Sequence, residues 1–159
     1  MKNLGLFCLL LVCIGLESCN KKPSQKEVDA QAQAEKQMSV QCYTSLYEND
    51  TLELKINTLK NGKITGNMVM KISNMPKKVG KIAGEFRGDT LFAAYTFIQG
   101  ANDKMTFKNP VALLKRGDEL ILGNGKIVTY LGASNFAKGE PIDFDRVKYK
   151  FTAVDCVDK

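Results

Sequence analysis

Chemistry that needs a histidine is closed to this chain, because none of its 159 residues is one. Ser-His and Cys-His nucleophilic systems are therefore excluded. No Walker-type phosphate loop is present, and no G-x-G-x-x-G joins a strand to a helix. Carboxylates remain. A facing pair can hydrolyse a glycosidic bond, and Glu53, Glu85, Asp118 and Glu119 are available. Their surroundings read as solvated strand faces and turns. The expected protein is non-catalytic, with a carbohydrate-active hydrolase as the remote alternative. Cysteine is the other reactive type, at positions 8, 13, 19, 42 and 156. With no histidine beside them these make poor metal ligands, so no metal or cofactor is expected.

The first forty residues decide what those cysteines do. Lys2 precedes an unbroken apolar run, residues 4–16. As a helix it would reach roughly 20 Å, short of the ~30 Å hydrocarbon core, and its place after an N-terminal lysine marks a secretory signal. The stretch "LESCNKK", residues 16–22, ends that run. Leu16, Ser18 and Cys19 resemble the lipobox of bacterial lipoproteins, with Glu17 departing from the usual small or apolar residue. The resemblance implies a signal peptide over 1–18, a diacylglycerol on the Cys19 sulfur and acylation of the new amino group. Three acyl chains would anchor the protein firmly, since two suffice. Asn20 stands where an inner-membrane retention signal carries aspartate. That implies the outer membrane, on its periplasmic face rather than the cell surface. The alternative is a plain secreted protein cut elsewhere.

Residues 19–39 are the lipidated cysteine and a polar linker, "CNKKPSQKEVDAQAQAEKQMS", read as a flexible tether spanning roughly 25 Å. Cys8 and Cys13 leave with the signal. Cys42 and Cys156 remain, and thiols outside the cytoplasm tend to pair. A Cys42–Cys156 bridge is expected, with two separate buried thiols as the alternative.

Residues 40–159 read as one antiparallel β domain. "TLELKIN" alternates Leu52, Leu54 and Ile56 with polar residues, and after Asn61-Gly62 "KITGNMVMKI" sets Ile64, Met68, Met70 and Ile72 on one face. Period two of this length marks half-buried strands. A second hairpin turns at Gly88-Asp89, and further turns are expected near Gly117-Asp118 and Asn124-Gly125. Pro110 should mark an edge or a bulge. "GKITG", "GKIAG" and "GKIV" recur, as do "NDTL", "GDTL" and "GDEL"; shared hairpin chemistry accounts for them, glycine and Asp/Asn supplying positive φ at turns. About eight or nine strands result. The fold class is all-β, a single up-and-down, lipocalin-like barrel or a compact sandwich.

"GDTLFAAYTF" followed by "VALLKRGDELILGNG" resembles small lipoproteins of the Bacteroidota type, over about residues 42–131 plus the terminal cysteine. The resemblance implies the envelope location and the β architecture, and brings no activity with it. Asp50-Thr51-Leu52 and Asp89-Thr90-Leu91 also resemble the O-glycosylation motif of exported Bacteroidota proteins, which would make Thr51 and Thr90 acceptors at exposed turns. Turn chemistry with strand entry is the alternative.

A net charge of +6 invites acidic partners. The lysines are spread over nearly every strand, so no nucleic acid is expected, and the protein reads as a monomer. Two functions fit. In the first, the domain is an interaction or structural module facing an envelope protein, with loops 73–80, 99–104 and 132–142 as contact sites. Small disulfide-linked β-barrel lipoproteins that inhibit lysozyme share that format. In the second, a small apolar or amphipathic ligand sits inside the barrel, lined by Met68, Met70, Tyr95 and Phe97, where small neighbours leave room.

Overall fold

A computed structural model of the chain describes residues 35–157. The expected signal peptide, Cys19 and most of the linker lie outside them. Ten strands follow one another: β1 (Gln37–Tyr47), β2 (Asp50–Leu59), β3 (Lys63–Lys71), β4 (Lys78–Arg87), β5 (Thr90–Gln99), β6 (Asn102–Arg116), β7 (Glu119–Leu122), β8 (Ile127–Tyr130), β9 (Ala133–Phe136) and β10 (Lys150–Val154). Eight close into an antiparallel barrel in the order β1-β10-β7-β6-β5-β4-β3-β2, while β8 and β9 form a separate two-stranded ribbon. The architecture is the up-and-down barrel, not the sandwich. β1 starts at Gln37, three residues inside the segment whose composition reads as tether.

Alternation explains the staves. Leu52, Leu54 and Ile56 of β2, Ile64 and Met68 of β3, Ile82 of β4, and Leu91, Tyr95 and Phe97 of β5 are buried in one core. Tyr43, Leu113, Leu120 and Phe151 complete it from β1, β6, β7 and β10. An eight-stranded barrel has an interior just wide enough for side chains to fill, and these fill it. The Tyr95 hydroxyl donates to the Met68 carbonyl at 3.1 Å, bonding one core side chain to the backbone of another stave.

Of the recurring glycines, Gly62 is a turn residue at φ 77°, as expected, whereas Gly66, Gly80 and Gly84 lie inside strands. "GKITG" and "GKIAG" lie in β3 and β4, antiparallel, so that Gly66 pairs with Ile82 and Ile64 with Gly84. Each large residue thus faces a small one. A Cβ at Gly66 would strike the Lys55 carbonyl, and one at Gly84 the Phe92 carbonyl. Close approach of neighbouring backbone, not positive φ, requires these glycines, and it uses up space that small residues would otherwise leave open. The "DTL" recurrences also differ from one another. Gly88-Asp89 and Gly117-Asp118 are two-residue turns whose glycines carry φ 59° and 62°, as type II′ hairpins require. In "NDTL" the turn is Glu48-Asn49, with Glu48 at φ 52°, and Asp50 already belongs to β2.

Pro110 lies on the stretch of β6 that only β5 pairs. The ladder to β7 ends at Leu113↔Leu122, and Lys115 N–H donates to Asp89, so odd positions face β5. The even position 110 points its missing donor at the open side, as expected of an edge. Asn124-Gly125 forms no tight turn. Asn124 exchanges both backbone hydrogen bonds with Asp143, at 2.8 and 2.9 Å. The returning segment lays Ile142 and Phe144 over Gly123, where a Cβ would stand 2.5 Å from each. Ala112 and Ile121, on the outer faces of β6 and β7, are buried as well. A small second core therefore forms outside the barrel.

Strand direction gives the molecule two poles. Turn 48–49, loop 72–77, turn 100–101 and both ends of segment 123–149 lie at one end. The chain enters β1 and leaves β10 at the other. Near that exit Cys42 and Cys156 are bonded, with Cα atoms 5.2 Å apart. The bridge reinforces a narrow seam, since β1 and β10 pair through only Cys42↔Val154, Tyr43↔Ala153 and Thr44↔Thr152, as few pairs as join β10 to β7.

Candidate functional site

At the pole opposite the chain entry the staves end unevenly. β7 stops at Leu122 while β6 runs on, and the gap is a cleft of about 180 Å³. Met70, Tyr95, Phe97, Val111 and Leu122 line it from the barrel, and Ile127 and Phe136 close it from the base of the ribbon. Three of the four residues expected to line a ligand site meet there. Met68 lies beneath them in the core, fully buried.

An aromatic stair leads into the cleft. Tyr95 stacks on Phe97 at 4.6 Å, and Phe97 on Phe107 at 5.5 Å. The stair climbs from the buried core to a rim where Phe107 is 39% exposed. Lys78 holds its ammonium 5.3 Å above the Phe97 ring, a cation–π contact that sets one positive charge at the entrance. Burial pushes the Tyr95 phenol well above its ordinary range, and its proton is committed to the Met68 carbonyl. The cleft can grip an apolar group and offer a cation beside it. Lys78 and Val111 lay in segments read as loop or unspecified strand, and Phe136 followed a turn-rich stretch.

Beside the cleft, Asp50 is buried at 9% exposure. Its carboxylate accepts the Ser73 N–H at 2.7 Å and the Tyr149 hydroxyl at 2.7 Å. Those bonds, the Ser73 donor first, hold its pKa below the usual carboxylate value. Burial, then the bond to Asp50, pushes Tyr149 up to about 12. Asp50 thus fastens loop 72–77 to the residue preceding β10.

The remaining sequence candidates are dispersed. Glu53 pairs with Lys71 at 3.4 Å near the mouth, and Glu85 with Arg87 at 3.0 Å toward the opposite pole. Asp118 and Glu119 lie at and beside the turn of that opposite pole. Thr51 and Thr90 sit in the ladders just past their turns, half-buried and on outer faces. The two belong to opposite poles. Cys19 lies outside the described residues. Contact loops 73–80, 99–104 and 132–142 shrink to two short turns and a segment that includes β9, and all three belong to elements that join at the mouth pole.

Fold and site together define a closed eight-stranded up-and-down barrel with a filled interior, a cleft at one mouth and a two-stranded ribbon outside it. No protein-family model matches the chain, and neither the curated proteins nor the solved structures yield a match.

Proposed function

We propose that the chain is a non-catalytic envelope lipoprotein, anchored through Cys19, that docks a protein partner at the barrel mouth. The observation that carries the reading is the size of the cleft. Small-molecule sites occupy about 300–1,000 Å³, whereas this one offers about 180 Å³, room for an apolar side chain or two. A pocket of that size suits the anchor residue of a protein interface, where a few buried side chains supply most of the affinity. Its position adds support, since the mouth lies opposite the pole at which the tether enters the barrel. Lys78 beside the apolar lining keeps a second reading in view, an amphipathic ligand with an acidic head.

A photocrosslinking residue at Phe107, in cells producing the protein, tests both. The expected result is one discrete protein adduct, abolished by Leu122→Glu at the cleft floor. An adduct with lipid or another small amphiphile, and with no protein, would replace the first reading with the second.

A further inference from the structure

The β8–β9 ribbon uses residues that folding does not call for. Its tip carries Tyr130 at 75% exposure and Leu131 at 88%, and Leu131 adopts φ 49°. A two-residue turn of this kind is best served by Asn-Gly. Here a large apolar side chain bears both an unfavourable backbone and nearly full contact with water. Strain kept at an exposed site points to use rather than stability. Between Lys126 and Lys138 the chain has no charged residue. Other uncharged stretches, in β1 and β5, are staves with one face in the core. Most of the ribbon has no such face, and Ile127 and Val128 are exposed too.

We infer that the ribbon tip is a shallow membrane-insertion element, with Tyr130 and Leu131 entering the headgroup boundary of an anionic lipid surface. The charges around it are complementary. Lys126 and Lys138 flank the ribbon's base, Lys108 across a groove from β9 adds a third charge to this basal collar, and Glu140 offsets one of them by pairing with Lys126 at 3.2 Å. Such a collar attracts anionic headgroups, and a tyrosine beside a leucine suits the interface, where an amphipathic ring keeps its hydroxyl wet. Thr129 and Ser134 bond to each other across the ribbon at 3.0 Å, leaving less polar demand near the tip. The ribbon's open edges set the depth, because unpaired backbone cannot enter hydrocarbon. Only the tip goes in. Phe136 lines both the mouth cleft and the groove along β4–β6, whereas Ser134 lines the groove alone. The ribbon therefore leaves the mouth along the barrel's side wall, so insertion would lay the barrel on its flank. The inference takes from the anchored reading only the nearness of a bilayer.

The chain contains no tryptophan, so Tyr130→Trp creates a sole fluorescent reporter at the tip. The full protein, matured in its host, is reconstituted into phosphatidylethanolamine–phosphatidylglycerol vesicles with brominated acyl chains. The expected result is blue-shifted emission, quenched most by bromines near the headgroups and lost when Leu131→Asp is added. Leu46→Trp, at a site 72% exposed on β1, should keep its aqueous emission. Leu131→Trp serves as the second reporter should the first fail to fold. Unshifted emission from protein that floats with the vesicles overturns insertion and leaves the anchor standing. Protein that does not float refutes the anchor, and added vesicles then decide insertion by the same shift. A shift that needs envelope proteins rather than lipid also overturns it.

Discussion

Glu48 shows how one residue can work against its own turn. It holds φ 52° where the equivalent turns use Gly88 and Gly117. A left-handed conformation costs an L-residue about 1–2 kcal/mol, and glycine returns part of that through the freer unfolded chain. Glu48→Gly should raise stability by about 0.5–1 kcal/mol in urea denaturation, whereas Gly88→Ala should lower it by a similar amount or more. Asp50 and Tyr149 act in opposite pH windows. The Asp50 carboxyl titrates below its ordinary value, so its contribution is complete above about pH 4 and is lost as pH falls through the lowered pKa. Tyr149 is held up to about 12. Its contribution is complete below about pH 10 and drains away as pH rises toward 12. Asp50→Asn should flatten the acid limb of a stability–pH profile, and Tyr149→Phe the alkaline limb.

At the scale of elements, the segment 123–149 is the part most open to dissection. A Cβ on Gly123 would meet Ile142 and Phe144 at 2.5 Å, and the flexible side to give way is the returning segment, not the stave. Gly123→Ala should therefore loosen residues 142–144 while the barrel keeps its cooperative unfolding. Hydrogen exchange would show faster exchange at the Asp143 amide and unchanged protection at Leu54 and Tyr95. This segment is also where reading from sequence fell short. β2 and β3 were legible because their apolar residues recur every second position over a long run, and β5 because a run apolar on both faces follows the Gly88-Asp89 turn. β9 was not, because four residues containing Ala, Ser and Asn among glycines look like loop. Asn124-Gly125 misled for a different reason. Its partner, Asp143, lies nearly twenty positions away, and no local pattern announces a contact of that range. Of the cleft, Met70, Tyr95 and Phe97 could be named from alternation. Lys78 and Phe136 became neighbours only through the closure of the barrel.

For the whole molecule, the seam between first and last staves decides how firmly the barrel closes. β10 contributes five residues and three register pairs to each neighbour, against ten pairs between β4 and β5. The Cys42–Cys156 bridge spans 114 residues, a separation for which chain entropy predicts about 4.7 kcal/mol, with 2–5 kcal/mol typical on removal. Replacing both cysteines with serine should lower stability by about 2–5 kcal/mol, and hydrogen exchange should quicken first in β10. A variant as stable as the parent would mean that the three pairs and Phe151 hold the seam unaided.

That same bridge makes the domain a covalent ring from position 42 to position 156. Proteases in the surroundings would first reach the bends at 72–77 and 131–132, and a single scission at either leaves two pieces still joined through sulfur. A clipped molecule would keep its size on a non-reducing gel and split only on reduction. Under the proposed anchored reading, a partner docked at the mouth would then stay attached to the cell rather than drift off with a shed fragment.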